Sequence, residues 1–272
     1  MGEVRRLPDF DRSPLIVFWE ATKACKLVCK HCRAEAVDKP LPGELSGEEA
    51  KSFVESLLGF GDPPPVLIVT GGDPLMRSDI YELLEFAAGT GLRVGIAPSV
   101  TPLLTSDAIR RLDAAGVRSV SISLDGARPE THDSIRGVSG LFRRTVEVLK
   151  ELAETGFMVQ VNTAVMRSNV EELADVAYLL TDLGVRVWEV FFLIRVGRGA
   201  ELEDITPPEY EDVMHFLYEV SRHGITVRTV EAPFFRRVVL WRRGDRGGDP
   251  VERYRLGVLY VVLSKRLREL MG

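Results

Sequence analysis

The chain has 272 residues, of which 45% are hydrophobic and 28% are charged, so it can bury a sizeable core and its composition excludes general disorder. It carries 35 lysines and arginines against 40 acidic residues, and a net charge of −5 gives no reason to expect a nucleic-acid partner. No run of about 18 apolar residues occurs, and the first residues lack the apolar stretch of a signal peptide. We therefore expect a cytoplasmic protein without a membrane segment.

A short apolar segment at 15–19 predicts the first β-strand, and the only three cysteines of the chain follow it. Cys25, Cys29 and Cys32 form a C-x3-C-x2-C pattern. In a cytoplasmic chain, an odd number of clustered thiols indicates metal binding and not disulfides. A zinc site normally has four protein ligands, whereas a [4Fe-4S] cluster takes one thiolate per iron. Three thiolates therefore leave one iron open to another ligand.

From 46 to about 224, short apolar runs alternate with amphipathic helices. Capping boxes predict helix starts at Ser46, Ser168 and Thr206, and a final helix is predicted at 251–270. The further predicted strands span 66–69, 93–96, 119–123, 158–162 and 187–192, with another candidate at 225–230. Such an alternation closes as a barrel or lies open as a doubly wound sheet, and the pattern alone does not distinguish these two architectures. Both architectures place chemistry at the carboxyl ends of the strands.

Glycine and polar residues follow two of these strands. Gly71 and Gly72 would let a ligand approach the backbone closely, and Asp73 offers a carboxylate to an ammonium group. A glycine-rich turn with a capping aspartate is the simpler explanation of the same residues. After the fourth strand, Ser123 and Asp125 suit a ribose, although Asp-Gly is also a common turn.

One arginine and the order of these motifs complete the pattern. Arg136 can bind a carboxylate through two parallel hydrogen bonds, although a single arginine most often lies at the surface. Together and in this order, the motifs resemble the radical S-adenosylmethionine (radical SAM) superfamily over about residues 12 to 230. The cysteine loop after the first strand is the most specific element of the resemblance.

The resemblance implies an α/β fold, a partial (βα)6 TIM-type barrel with a C-terminal helical extension. It divides the chain into a lead-in at 1–12, a core barrel at 13–230 and an arginine-rich extension at 231–272 that ends in a helix. It also implies that Cys25, Cys29 and Cys32 hold a [4Fe-4S] cluster whose fourth iron is chelated by S-adenosylmethionine. The residues that match cofactor-contacting segments are Gly71, Gly72, Asp73, Ser123, Asp125 and Arg136, with Asn162 as a further polar contact.

The implied activity is reductive cleavage of S-adenosylmethionine to a 5′-deoxyadenosyl radical, with a reduced ferredoxin or flavodoxin as electron donor. The wording of the motifs looks most like the branch that includes haem-biosynthesis, peptide-maturation and molybdopterin-precursor enzymes. Two departures are Asp73, where the superfamily has glutamate, and His31, at a position that is often aromatic. That branch often has auxiliary-cluster cysteines in a C-terminal extension, and this chain has none after Cys32.

The substrate is open at this stage. Arg195, Arg198, Arg236 and Arg237 are candidates to face an anionic substrate such as a tetrapyrrole or a peptide, and a solvated loop explains them equally well. The rival interpretations are a non-catalytic zinc protein that uses the cysteines with His31, and a fragment that needs a partner. Only three amide side chains occur, which fits a heat-adapted source or a biased genomic base composition.

Overall fold

The computed structural model describes residues 9–244 and 247–272, so residues 1–8 of the predicted lead-in at 1–12 and residues 245–246 of the predicted extension at 231–272 lie outside the described residues. The described chain divides into two compact units. Unit 1 comprises residues 9–26, Ala36–Ser121 and Gly156–Met158, and unit 2 comprises Leu27–Glu35, Ile122–Thr155 and the described residues of 159–272. No helix of the described part is long and apolar enough to cross a membrane.

Unit 1 contains parallel strands that hydrogen-bond in chain order and helices that connect them. Its elements are β1 (Ile16–Thr22), α1 (Gly47–Leu57), β2 (Val66–Gly71), α2 (Ile80–Gly89), β3 (Val94–Ile96), α3 (Ser106–Ala114) and the first three residues of β4 (Ser119–Ser123). The capping box at Ser46 is confirmed, because its side chain accepts from the Glu49 amide and the Glu49 carboxylate accepts from the Ser46 amide.

Unit 2 follows the same pattern and ends in three consecutive helices. Its elements are α4 (Pro129–Arg136), α5 (Leu141–Ala153), β5 (Met158–Val165, with Met158 in unit 1), α6 (Leu173–Asp182), β6 (Val187–Phe192), α7 (Pro207–Ser221), β7 (Thr226–Val230), α8 (Phe235–Arg243), α9 (Pro250–Tyr254) and α10 (Val258–Met271). Strands β5, β6 and β7 pair in parallel. The capping box predicted at Thr206 is confirmed, with Pro207 at the first helical position.

The strands of unit 2 bury one face in the core. On this face Val161, Thr163, Trp188 and Val190 are fully buried, and the Trp188 indole donates to the Thr163 hydroxyl at 2.9 Å. The aromatic ring of Phe192 stacks on Tyr210 of α7, so helices cover this face. Because side chains alternate along a strand, the residues between them point to the opposite face.

Two predicted helix boundaries are wrong. The helix expected to begin at Ser168 begins at Leu173, after a 3₁₀ turn over Val170–Glu172. The single helix expected at 251–270 is two helices, α9 and α10, separated at Arg255, which has a left-handed φ of 55°.

A distant side chain explains this second boundary. The Asp212 carboxylate of α7 accepts hydrogen bonds from the backbone amides of Gly257 at 2.7 Å and Tyr260 at 3.3 Å. Asp212 therefore caps the start of α10 from another helix. One side of α10 is apolar, and its residues Tyr260, Leu263 and Leu267 are buried where α10 packs on α6 and α7.

Candidate functional site

The predicted metal ligands fall in both units, Cys25 in unit 1 and Cys29 and Cys32 in unit 2. Within residues 9–244 and 247–272, no group of three or more His, Cys, Asp or Glu side chains is arranged to hold a metal ion. The assignment of the three cysteines to one cluster therefore stays a prediction from their spacing.

Cys25 lies at the end of the backbone that continues β1. It is 8% exposed, its amide donates to the Val37 carbonyl at 2.7 Å, and its Sγ lies 3.5 Å from Ser99 Oγ. The Ser99 hydroxyl in turn lies 3.2 Å from the Gly72 carbonyl, to which it donates. Ser99 was not predicted as a site residue, and its position just after β3 is the signal that would have found it.

Gly71 and Gly72 pack directly against the segment that leads into Cys25. A Cβ on Gly72 would lie 2.2 Å from the Ala24 carbonyl oxygen, and Gly71 has a φ of 133°. The Gly72 amide donates to the Thr22 carbonyl at 2.7 Å. These contacts require glycine at both positions, so close backbone packing explains this part of the motif.

The Asp73 carboxylate is completely buried and fastens the turn. It accepts hydrogen bonds from the amides of Leu75 at 3.2 Å and Ser99 at 3.3 Å and from the Thr101 hydroxyl at 2.8 Å. Burial raises the pKa of Asp73, and these hydrogen bonds oppose the increase. These hydrogen bonds account for a local capping role of Asp73. Its predicted contact to an amino group stays a prediction.

In unit 2, Arg136 lies between a carboxylate and a cysteine. Its Nε is 2.6 Å from Asp125 Oδ2 in an ion pair, and its Nη1 is 3.6 Å from the Sγ of Cys29, to which it donates. Burial opposes the charge of the guanidinium, but Asp125 and Cys29 raise the pKa of Arg136. Burial likewise opposes ionisation of Asp125, but Arg136 and two histidines hold the pKa of this carboxyl below its ordinary value. The pair is therefore charged.

Backbone contacts fix Asp125 in place. Its Oδ1 accepts from the Ala164 amide at 2.9 Å, and its carbonyl accepts from the Asn169 side chain at 2.8 Å. Its own amide donates to His132 Nδ1 at 3.1 Å, which assigns the neutral tautomer with a proton on Nε2. Burial lowers the pKa of His132 to about 4, so this histidine is neutral at pH 7. Asp125 was predicted to face a ribose, but its carboxylate binds Arg136 and Ala164.

His31 lies in the same surroundings. Its Nε2 is 3.8 Å from Asp125 Oδ2, and its buried Nδ1 has no hydrogen-bond partner among the described residues. Burial lowers the pKa of His31 to about 4, with Asp125 opposing and Arg136 adding to the decrease. The imidazole is therefore neutral, and its buried Nδ1 is unsatisfied within the described part of the chain.

Two segments of unit 2 hold the cysteine loop. At the end of α4, the Ile135 carbonyl accepts from the Lys30 amide at 2.8 Å. After β6, the Arg198 Nε donates to the Cys29 carbonyl at 2.9 Å and the Arg198 amide donates to the Cys32 carbonyl at 3.2 Å. Arg198 was a candidate to face an anionic substrate. In the structure its Nε binds the backbone of the cysteine loop.

The other three predicted substrate arginines lie in the loop after β6 and on α8. Arg195 donates to the Ala200 carbonyl of its own loop, at 3.0 and 3.2 Å. Arg237 binds the Glu211 carboxylate at 2.5 Å, and Arg236 is exposed on α8. The remaining predicted contacts, Ser123 and Asn162, are both half-buried, and Asn162 accepts a hydrogen bond from Gln160 at 2.8 Å.

The family follows from comparison with known proteins. A family model described as the Radical SAM superfamily matches residues 19–180. The chain belongs to the radical SAM superfamily. This radical SAM chain is 38% identical over 250 residues to the AdoMet-dependent heme synthase of Oleidesulfovibrio alaskensis, covering 91% of the chain and 64% of that protein. It is 33% identical over 252 residues to the mycofactocin maturase MftC of Mycobacterium tuberculosis, covering 90% and 62%.

The radical SAM fold is also found by structural comparison. The crystal structure of Streptococcus suis SuiB bound to S-adenosylmethionine matches with a TM-score of 0.69 at 13% identity, covering 80% of this chain and 50% of that chain. The predicted α/β class, a partial TIM-type barrel with a C-terminal helical extension, is confirmed. The chain spans less than two thirds of the length of the two sequence relatives.

Proposed function

We propose that this radical SAM chain is an enzyme in which Cys25, Cys29 and Cys32 would hold three irons of a [4Fe-4S] cluster, leaving the fourth iron to S-adenosylmethionine. The donor set fits such a group, because soft thiolates suit iron–sulfur ligation and three of them leave one position open. When bound, the cluster supplies the electron that cleaves S-adenosylmethionine to methionine and a 5′-deoxyadenosyl radical, which abstracts hydrogen from the substrate.

The charged Arg136 beside Cys29 is the observation that carries the proposal. Its Nη1 lies 3.6 Å from the cysteine sulfur, and Asp125 holds its Nε, so the guanidinium is fixed and largely buried at a predicted cluster ligand. A guanidinium placed there stabilises a thiolate and offers further N–H donors to a carboxylate. In this role Arg136 would bind the methionyl carboxylate of S-adenosylmethionine, and Asp125 would position Arg136.

The proposed substrate is a tetrapyrrole or a peptide, because the sequence relatives include a heme synthase and a mycofactocin maturase. Since the name of the more similar of the two refers to haem synthesis, the tetrapyrrole is the first substrate class to test. We propose a reduced ferredoxin or flavodoxin as the electron donor, because the reaction needs one electron per cleavage.

Anaerobic reconstitution of the 272-residue chain with iron and sulfide tests the proposal. We expect iron–sulfur absorption and, after reduction with S-adenosylmethionine present, 5′-deoxyadenosine. Cys29→Ala should abolish both signals, whereas Lys30→Ala, on the same loop, should keep them. Circular dichroism of both variants checks that the fold is intact. Native protein that gives neither signal would refute the proposal.

The metal content of the same protein preparation distinguishes the zinc interpretation from the iron–sulfur proposal. The unsatisfied Nδ1 of His31 is the observation that favours it, because imidazole nitrogen and thiolate together suit zinc. It predicts a colourless protein with one zinc per chain, and His31→Phe should lower the zinc content. In the iron–sulfur proposal, His31→Phe keeps the iron content of the reconstituted protein.

A further inference from the structure

The open face of β5, β6 and β7 in unit 2 carries a row of polar side chains. Asn162, Glu189 and Arg228 lie side by side in register on the three strands. Asn162 and Glu189 are half-buried, and Arg228 is exposed. Gln160, two residues before Asn162 on the same face, is half-buried too. Two of the three amide side chains in the chain therefore lie on this face.

Gln160 connects this row through its amide group. Its Nε2 donates to Asn162 Oδ1 and to Glu189 Oε2, both at 2.8 Å, and its Oε1 accepts from Arg228 Nη1 at 3.4 Å. These bonds orient the amide of Asn162 so that its Nδ2 remains a donor. The Asn162–Gln160–Glu189 arrangement is hence a preset line of hydrogen-bonding groups, not a set of independent surface side chains.

Arg228 differs from the arginines that the sequence indicated. Arg195 and Arg198 donate to carbonyl groups of the protein, whereas Arg228 donates to the side-chain oxygen of Gln160. Arg228 acts on the neighbouring Glu189 carboxylate through its charge, but it forms no salt bridge with any described residue. A guanidinium has five N–H groups in a planar fork, so Arg228 retains a pair of donors for a carboxylate.

The next row along the strands is apolar. Ala164, Phe191 and Val230 are in register, two residues further toward the carboxyl ends, and all three are half-buried. Two strand residues span about 6.6 Å, so the apolar row and the polar row are adjacent bands. A ligand that lies across both bands needs a flat apolar body with polar groups at its edge.

We infer that Arg228, aligned by Gln160, is a carboxylate anchor for a substrate that lies on this face. The ligand class is a flat, largely apolar ring system that carries carboxylate side chains and N–H groups. Its carboxylate pairs with Arg228, an N–H group faces Glu189, and its ring body covers Phe191 and its two neighbours in the apolar row. The identification of the ligand as the substrate rests on the proposed function. Binding of a carboxylate by Arg228 does not depend on it.

Coproporphyrin III is a suitable probe for the carboxylate contact, because it has four propionates at the edge of a flat ring and its fluorescence reports binding. Its N–H groups point to the centre of the ring, so the probe tests the contact to Arg228 and not the contact to Glu189. We would titrate it into the reconstituted 272-residue chain and into Arg228→Met, which keeps the length of the side chain. Loss of a charged hydrogen-bonding partner should raise the dissociation constant about tenfold or more. Arg228→Lys, which keeps the charge without the fork, should fall between the two.

Arg186→Met is the matched control, since Arg186 is exposed just before β6, at the opposite end of the strand from Phe191. It should bind the probe like the native chain. Equal losses in Arg186→Met and Arg228→Met, unchanged binding by Arg228→Met, or no binding by the native chain would overturn the anchor.

Assays of iron content and 5′-deoxyadenosine on the same samples separate this inference from the proposed function. If the native chain gives neither signal but Arg228→Met still weakens probe binding, the anchor is supported and the proposed radical chemistry is refuted. If both signals are present and Arg228→Met binds the probe normally, the anchor fails and the radical chemistry stands.

Discussion

Two buried carboxylates, one in each unit, show how similar turns take different electrostatic roles. Asp73 and Asp125 each follow a parallel strand, and both are fully buried. Within the described chain, Asp73 accepts hydrogen bonds only from neutral groups, and burial raises its pKa. Asp125 is paired with Arg136, and this charge outweighs burial and lowers the pKa only together with two histidines and the hydrogen bond from Ala164. Asp73 therefore fastens a turn, whereas Asp125 holds a cation beside Cys29.

The turns after β2 and β4 are also connected to the cysteine loop in different ways. In unit 1, the backbone of Gly72 and Asp73 is hydrogen-bonded to Thr22 and Ala24, so the turn follows the path of the chain into Cys25. In unit 2, a side chain makes the connection, because Arg136 reaches the Cys29 sulfur from the end of α4. Changes in the first turn should act through packing, and changes in the second should act through charge.

The largest expected effect is that of Asp125→Asn. It leaves the Arg136 guanidinium buried without its counter-charge, which should lower the unfolding free energy by about 3 kcal/mol. Asp73→Asn is the matched variant, and it should lower the unfolding free energy by about 1 kcal/mol at pH 7, because the hydrogen-bond partners of Asp73 are neutral and no ion pair is lost. Urea unfolding of the cluster-free chain, followed by circular dichroism, measures both. Equal losses would contradict the distinction.

Gly72→Ala and Gly126→Ala test the packing side of the comparison. The new Cβ at 72 would meet the backbone oxygen of Ala24 at 2.2 Å, and the one at 126 would meet the side chain of Thr131 at 2.9 Å. Because a backbone atom yields less than a side chain, we expect a loss of about 2 kcal/mol for Gly72→Ala and about 1 kcal/mol for Gly126→Ala. Thermal unfolding compares them, and a larger loss at 126 would show that the unit 1 turn is not the tighter one.

Local features of the sequence predicted much of the fold. The capping boxes at Ser46 and Thr206 are confirmed because their partners lie three residues away, and the strand runs are confirmed because alternation and β-branched residues are local signals. The cysteine spacing and the strand-end motifs were sufficient to recognise the superfamily.

Long-range contacts account for what the sequence did not predict. Arg198 bonds to Cys29 across 169 positions of chain, and Asp212 caps Gly257 across 45. No local pattern marks either pair. The predicted helix start at Ser168 was wrong because the neighbouring Asn169 side chain instead bonds to Asp125 and Ala164.

His132→Gln tests the surroundings of Asp125 through the pH dependence of stability. The folded pKa of His132 is lowered from 6.5 to about 4, so between these values the unfolded chain takes up a proton that the folded chain excludes. Its contribution to stability is complete above pH 6.5 and is lost as pH falls toward 4, by up to about 1.4 kcal/mol per pH unit. Glutamine keeps an acceptor for the Asp125 amide and does not titrate. The slope of the unfolding free energy against pH between pH 5 and 6 should therefore decrease by about 1.4 kcal/mol per pH unit, which corresponds to one proton. The exposed His223→Gln is the control for loss of one histidine, and an unchanged slope in His132→Gln would contradict the assignment.

The smallest expected effect is a pH dependence that distinguishes the two carboxylates by its sign. The folded pKa of Asp73 is raised above 3.8, so its contribution to stability is complete below the unfolded value and is lost as pH rises through the folded value. Asparagine does not titrate, and the deficit of Asp73→Asn should therefore grow as pH falls from 7 to 4.5. The pKa of Asp125 is lowered, so its stabilisation is present above 3.8 and the deficit of Asp125→Asn should stay constant over the same range. Urea unfolding of both variants and the native chain at the two pH values measures the difference. A deficit that grows equally in both variants would mean that Asp125 is held by hydrogen bonds in the way Asp73 is, and that Arg136 does not set its charge.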